Sequence, residues 1–151
     1  MSSESIASLR RLNQHYAFAS IQMHEAIARK AGVSGTDHKY LGFLMEKGQM
    51  TAGEMAHLTG LTTGAVTGLI DRFEKKKLVK RQYDTQDRRK VFIVPLTENI
   101  MALLSPLYKD YREKIEGMMA SFSEEETSII RDFLLKSIHI MEEKTNLLHL
   151  S

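Results

Sequence analysis

Residues 51–97 read TAGEMAHLTGLTTGAVTGLIDRFEKKKLVKRQYDTQDRRKVFIVPLT, and the changes of period inside this stretch decide the fold. Thr51-Ala-Gly-Glu54 has the form of a capping box, in which the threonine hydroxyl accepts from the amide three residues on and the glutamate reaches back. It predicts a short helix with Met55, Ala56 and Leu58 inward, closed by Gly60. Thr62 or Thr63 caps a second helix to about Lys77, with Val66, Leu69, Ile70 and Phe73 toward the core. Two short helices around a glycine-containing turn outline a helix-turn-helix. The period then drops to two. Val79, Arg81 and Tyr83 alternate with Lys80 and Gln82, and Val91, Phe92, Ile93 and Val94 form a second strand-type run that Pro95 ends. The polar Asp84-Thr-Gln-Asp-Arg-Arg89 between them makes a β-hairpin with a charged tip.

Long helices flank this segment. Leu9, Leu12, Tyr16, Ala19, Met23 and Ala26 recur at steps of three or four, a single stripe over residues 5–30 that Gly32 and Gly35 break. Tyr40, Leu41, Phe43, Leu44 and Met45 form a short, mostly buried helix stopping near Gly48. After the hairpin, Thr97 caps a helix whose stripe is Leu104, Leu107, Tyr111, Ile115, Met118 and Phe122. Ser123-Glu-Glu-Glu126 is a second capping box, opening a helix striped by Ile130, Leu134, Ile138, Met141, Thr145 and Leu148. Twenty-five helical residues reach about 37 Å. Stripes of that length need a partner, and a second copy of the chain is the economical one. The predicted fold class is mainly α with a small β-hairpin wing, a winged helix-turn-helix plus long dimerisation helices. Residues 1–151 read as one domain, with the winged helix over 36–97 and dimerisation helices over 5–32 and 98–151.

Composition narrows the function. The chain has 151 residues, 42% hydrophobic and 26% charged, with no cysteine. Thiol catalysis, thiol redox sensing, disulfide frameworks and Cys-ligated zinc are thereby excluded. No apolar run approaches the roughly 18 residues needed to span a membrane. The opening MSSESIASLRR lacks the basic-then-apolar order of a secretory signal, so a cytoplasmic protein without a membrane partner is expected. The net charge of +2 conceals a local excess: residues 71–90 hold nine basic groups (Arg72, Lys75, Lys76, Lys77, Lys80, Arg81, Arg88, Arg89, Lys90) against four acidic. That pattern suits contact with a polyanion.

With these motifs in order, the stretch 51–97 closely resembles the reading head of MarR-family transcriptional regulators, and the flanking helices are similar to that family's dimerisation region. The family's wing signature, Asp-x-Arg-Asp-x-Arg, is Asp84-Thr-Gln-Asp-Arg-Arg89 here, with Gln86 in place of the middle arginine. Lys77 stands where a glycine is common before the first wing strand, and Ile100 where the Leu-Thr-x-x-Gly segment has its glycine. The resemblance implies a sequence-specific regulator that binds a pseudo-palindromic double-stranded DNA operator as a homodimer. By family habit it is a repressor released by a small, often aromatic or anionic, effector. It also implies that Arg89 enters the minor groove, that Asp87 orients it and that Asp84 braces the turn.

The residues support that reading chemically. A recognition helix brings its first turns against base edges in a major groove about 12 Å wide. Thr62, Thr63, Gly64, Ala65, Thr67 and Gly68 offer small side chains, hydroxyls and amides there, with Thr51 on the preceding helix. Two glycines inside a helix each cost roughly 1 kcal/mol against alanine. Close approach to another surface explains them, as does tight packing on a neighbouring helix. Arg72 can reach a phosphate or pair with Asp71 or Glu74. Arg88 and Arg89 can lie in or beside a narrow minor groove. The effector crevice would be bordered by His15, Tyr16, Asp37, His38 and Tyr40. Asp37-His38 is similar to the start of the site in zinc-sensing relatives, but residues 98–122 contain no histidine, so neither metal nor cofactor is expected. The chief rival is a winged helix that binds protein and no DNA. An enzyme is disfavoured, because no nucleophile–base pair, phosphate loop or carboxylate dyad is visible.

Overall fold

The computed structural model describes residues 3–87 and 90–149. The chain divides into two compact units, residues 1–108 and 109–151. In order along the chain come α1 (Ser3–Lys30), α2 (Gly35–Lys47), β1 (Met50–Thr51), α3 (Ala52–Thr59), α4 (Thr63–Lys75), β2 (Val79–Tyr83), β3 (Val91–Pro95), α5 (Thr97–Ala120) and α6 (Glu124–His149).

Local chemistry sets most of these boundaries. Both capping boxes form. The Thr51 hydroxyl accepts from the Glu54 amide at 3.2 Å, while Glu54 accepts from the Thr51 amide at 2.6 Å. Ser123 accepts from the Glu126 amide at 3.2 Å, and Glu126 accepts from the Ser123 amide at 2.8 Å. These bonds hold both glutamates below the usual carboxylate range. Of the two threonines that could open α4, Thr62 is the cap, its hydroxyl accepting from the Ala65 amide at 3.3 Å.

Three expectations are corrected. The second helix begins at Gly35, five residues before Tyr40, because Ser34 caps it by accepting from the Asp37 amide at 2.9 Å. The wing sheet has three strands in the order β1-β3-β2, all antiparallel, with Met50 opposite Ile93 and Val79 opposite Pro95. Leu58 is exposed, because the inner face of α3 is carried by Met55 and, less deeply, Ala52, Ala56 and Thr59.

The core of the first unit gathers Leu41 and Leu44 from α2, Met55 from α3, and Val66, Leu69, Ile70 and Phe73 from α4. Ile93 of β3 and Ile100 of α5 pack against them, as do Tyr40, Leu78 and Val79. Truncating Phe73 to alanine in such a core costs about 3–5 kcal/mol. This packing fixes one face of α4 and thereby decides which residues the other face presents. In the second unit, the end of α5, the turn after it and α6 leave Met118, Met119, Phe122, Ile129, Phe133, Leu134 and Ile138 exposed.

Candidate nucleic-acid interface

The outer face of α4 carries Thr63, Gly64, Ala65 and Thr67, all exposed, with Gly68 partly covered. The amides of Thr63 and Gly64 open the helix, where no intrahelical carbonyl can reach them, and the positive end of the helix dipole lies there. Thr67 donates its hydroxyl to the Thr63 carbonyl at 3.0 Å, which orients its oxygen on the surface. A Cβ built on Gly64 would meet nothing within 4 Å, and one on Gly68 would meet Arg72 Nη1 at 3.8 Å. Packing on a neighbouring helix therefore does not account for either glycine. Thr51 is engaged in its capping box at the start of α3, with its hydroxyl also donating to Glu54 at 2.9 Å.

The acids of α4 are neutralised by a side chain the sequence reading did not single out. Arg81 of β2 donates to Asp71 at 2.7 Å and also bonds Glu74, whose carboxylate accepts from the Arg81 amide at 3.0 Å. Arg72, for which the sequence offers a phosphate or one of those acids as partner, reaches across to α2. Its Nη2 donates to Asp37 Oδ1 at 2.8 Å and its Nε to Oδ2 at 3.1 Å. The hydrogen bond to Asp37 raises the guanidinium above its ordinary value, keeping it charged. At the wing, Asp84 accepts from the amides of Gln86 and Asp87 at 2.7 and 2.8 Å, bracing the turn. These amides, that of Asp87 foremost, hold the Asp84 carboxyl below the usual range. Arg88 and Arg89 lie outside the described residues.

The residues expected to border an effector crevice are only partly brought together. Tyr40 is buried in the core at 6% exposure, and Asp37 is buried and paired with Arg72. His15 and Tyr16 are exposed on α1. His38 does line a cavity, of about 550 Å³, together with Ile21, His24, Glu25, Lys39 and Phe43. Beside it the Tyr108 hydroxyl bridges two histidines, meeting His38 Nε2 at 3.0 Å and His24 Nδ1. The histidine rings stack with centroids 5.5 Å apart. Burial, and then the charge of His24, lower the His38 pKa. His24 and Tyr108 carried no sequence signal beyond their chemistry, since 84 positions separate them. No cluster of three or more His, Cys, Asp or Glu with metal-binding geometry occurs among the described residues. Nor, among them, is any helix long and apolar enough to cross a membrane.

A turn-linked helix pair whose second helix shows an open, glycine-bearing face beside a three-stranded sheet defines a winged helix-turn-helix protein. Residues 31–90 match the MarR family. A Bacillus subtilis (strain 168) protein, named as the uncharacterized HTH-type transcriptional regulator YcgE, is 41% identical over 125 residues, 83% of this chain and 80% of the relative. A MarR family protein from Bacillus stearothermophilus has a similar solved structure, with a TM-score of 0.72 at 25% identity, covering 94% of this chain and 99% of that one. A mutant of S. aureus MepR bound to an oligodeoxyribonucleotide gives a TM-score of 0.58 at 24% identity, covering 90% and 97%. The chain belongs to the MarR family of HTH-type transcriptional regulators.

Proposed function

We propose that the protein is a homodimeric, sequence-specific regulator that binds a pseudo-palindromic double-stranded operator, with α4 in the major groove and the wing at the flanking minor groove. The observation that carries this reading is the open face of α4. Gly64 and Gly68 interrupt a helix where the protein's own packing leaves the first position vacant and puts only the Arg72 side chain, at 3.8 Å, beside the second, at roughly 1 kcal/mol each. Thr62, Thr63, Ala65, Thr67 and the first-turn amides surround them, and Arg81 has already neutralised the acids on the same helix. A duplex groove is a surface that rewards such close approach. A protein of similar fold, the S. aureus MepR mutant, has been solved bound to an oligodeoxyribonucleotide, which is in keeping with DNA as the partner.

The dimer and the effector belong to the same proposal. α1 exposes Ile6, Leu9, Leu12 and Tyr16, and the second unit exposes its own apolar face, which a second copy would cover. The cavity at His38, walled by Ile21 and Phe43 with Lys39 at its edge, suits a small aromatic or anionic molecule whose binding releases a repressor from DNA. In vitro selection from a random duplex library tests the reading. The expected result is an enriched inverted repeat with half-sites about one helical turn (roughly 10 bp) apart. Salt-independent binding to a protein, with no duplex enriched, would identify a protein-interaction module instead.

A further inference from the structure

The contact between Asp37 and Arg72 joins the first turn of α2 to the outer face of α4. The Asp37 side chain is 11% exposed and that of Arg72 is 56% exposed. Both carboxylate oxygens accept from the guanidinium, one from Nη2 and one from Nε. Such a two-point fork fixes the plane of the guanidinium as well as its position. It also uses only one edge. The third nitrogen, Nη1, stands 3.8 Å from where a Cβ on Gly68 would be, on the side of the helix that carries Gly64 and Thr67.

We propose that Asp37 is a positioning residue for DNA contact. By gripping the Nε–Nη2 edge of Arg72, it presents Nη1 beside Gly68 to a backbone phosphate of the bound duplex. The proposal rests on the reading of α4 as the recognition helix. Two features favour presentation over sequestration. The carboxylate already lies inside the protein, so pulling Arg72 away would strand a buried charge. A phosphate can instead bond Nη1 while the fork stays intact, because a guanidinium offers five donors in one plane. A lysine at position 72 would keep the charge and lose this geometry.

The test uses the full-length protein, a duplex selected by the wild type and a random duplex, each titrated by fluorescence anisotropy at several salt concentrations. The variants are Asp37→Asn, Arg72→Lys, Arg72→Ala and the double variant Asp37→Asn/Arg72→Ala. Asp37→Asn and Arg72→Lys should each lose about tenfold in affinity per half-site, about 100-fold for the dimer, close to Arg72→Ala, the scale of one charge-assisted hydrogen bond per protomer. Each should also flatten the slope of log K against log salt by about 1.8, one phosphate contact from each protomer. In the Arg72→Ala background, Asp37→Asn should add nothing. Arg72→Lys retains a cation opposite the carboxylate, so it carries the test if Asp37→Asn fails to fold. Wild-type affinity and slope in Arg72→Lys would overturn the proposal. Tighter binding with a steeper slope in Asp37→Asn would overturn it too, showing that the carboxylate withholds the arginine. If the wild type binds no duplex at all, the recognition-helix reading fails first. An intact salt-dependent wild type with unaffected Arg72 variants sinks only the role of the pair.

Discussion

Two helices of the first unit end by the same bonding scheme on different residues. After α1, the Val33 amide donates to the Ala28 carbonyl at 3.0 Å and the Gly32 amide to Arg29 at 3.1 Å, with Gly32 at φ +70°. After α4, the Leu78 amide donates to Phe73 at 2.9 Å and the Lys77 amide to Glu74 at 2.8 Å, with Lys77 at φ +55°. Both are Schellman endings, in which one left-handed residue lets two orphan carbonyls be satisfied. A lysine in that conformation carries a steric cost of about 1–2 kcal/mol that glycine lacks. It is held by Asn99, whose side-chain amide donates to the Lys77 carbonyl at 2.7 Å, and by the burial of Phe73 and Leu78. Lys77→Gly should therefore stabilise the protein by up to about 1 kcal/mol, the glycine's greater unfolded-state entropy offsetting the rest. Thermal denaturation would show a rise of about 2–4 °C. A fall would mean that Asn99 and the packing have removed the strain. Residues of this kind were legible one at a time. Gly32, Gly60 and Thr51 act on amides within a few positions of themselves, so their spacing gave them away. The grip of Asp37 on Arg72 spans 35 positions and two helices, and no local pattern encodes it.

Among elements, α2 meets both α4 and the cavity. Its first turn supplies Asp37 to Arg72, and the next residue, His38, shares the Tyr108 hydroxyl with His24 of α1. The hydroxyl has one proton and two lone pairs, so it can donate to one ring nitrogen and accept from the other. His38 titrates below its ordinary value in the folded protein, from burial first and the His24 charge second. In the window between that lowered value and about 6.5, the unfolded chain binds more protons, so stability rises with pH. The contribution is complete above about pH 6.5 and is lost as pH falls through the folded value. Urea denaturation from pH 7.5 to 5 should show this loss in the wild type and a shallower one in His38→Gln. Identical profiles would show that the fold leaves the titration of His38 unchanged from the unfolded chain. Apolar periodicity placed the start of α2 at Tyr40 because residues 35–39 hold no large apolar side chain. The Ser34-x-x-Asp37 cap was the signal that could have corrected it.

At the scale of the whole molecule, the reading head and the apolar helices must answer to one stoichiometry. In the first unit α1 shows Leu9, Leu12 and Tyr16 at 54%, 61% and 64% exposure, and in the second unit α6 shows Phe133 and Leu134 at 50% and 44%. Apolar stripes on long helices were legible in the sequence, whereas of the residues expected to border a crevice only His38 lines the cavity, which is assembled from α1 and α2 side chains facing one another. A dimer that persists at low micromolar concentration is expected by sedimentation, and a monodisperse folded monomer would exclude it. The dimer should also be what makes operator binding tight. On the proposed operator two half-sites would be read together, so the second contact would form at a high effective concentration. Leu134→Glu places a charge in the exposed apolar face and should yield monomers with the first unit still folded. These should lose on the order of 10²-fold or more in operator affinity, while random-duplex binding falls far less. Gly64→Val in the intact dimer should show a different pattern. It should remove operator preference, at roughly 1–3 kcal/mol per lost base contact, and leave the electrostatic binding to random duplex and its salt slope in place. Arg89→Ala should weaken both duplexes together and flatten the slope, since the resemblance puts it at phosphate-flanked minor groove. If Leu134→Glu were monomeric and still bound the operator like the wild type, one reading head would be sufficient and the paired half-site docking would be wrong.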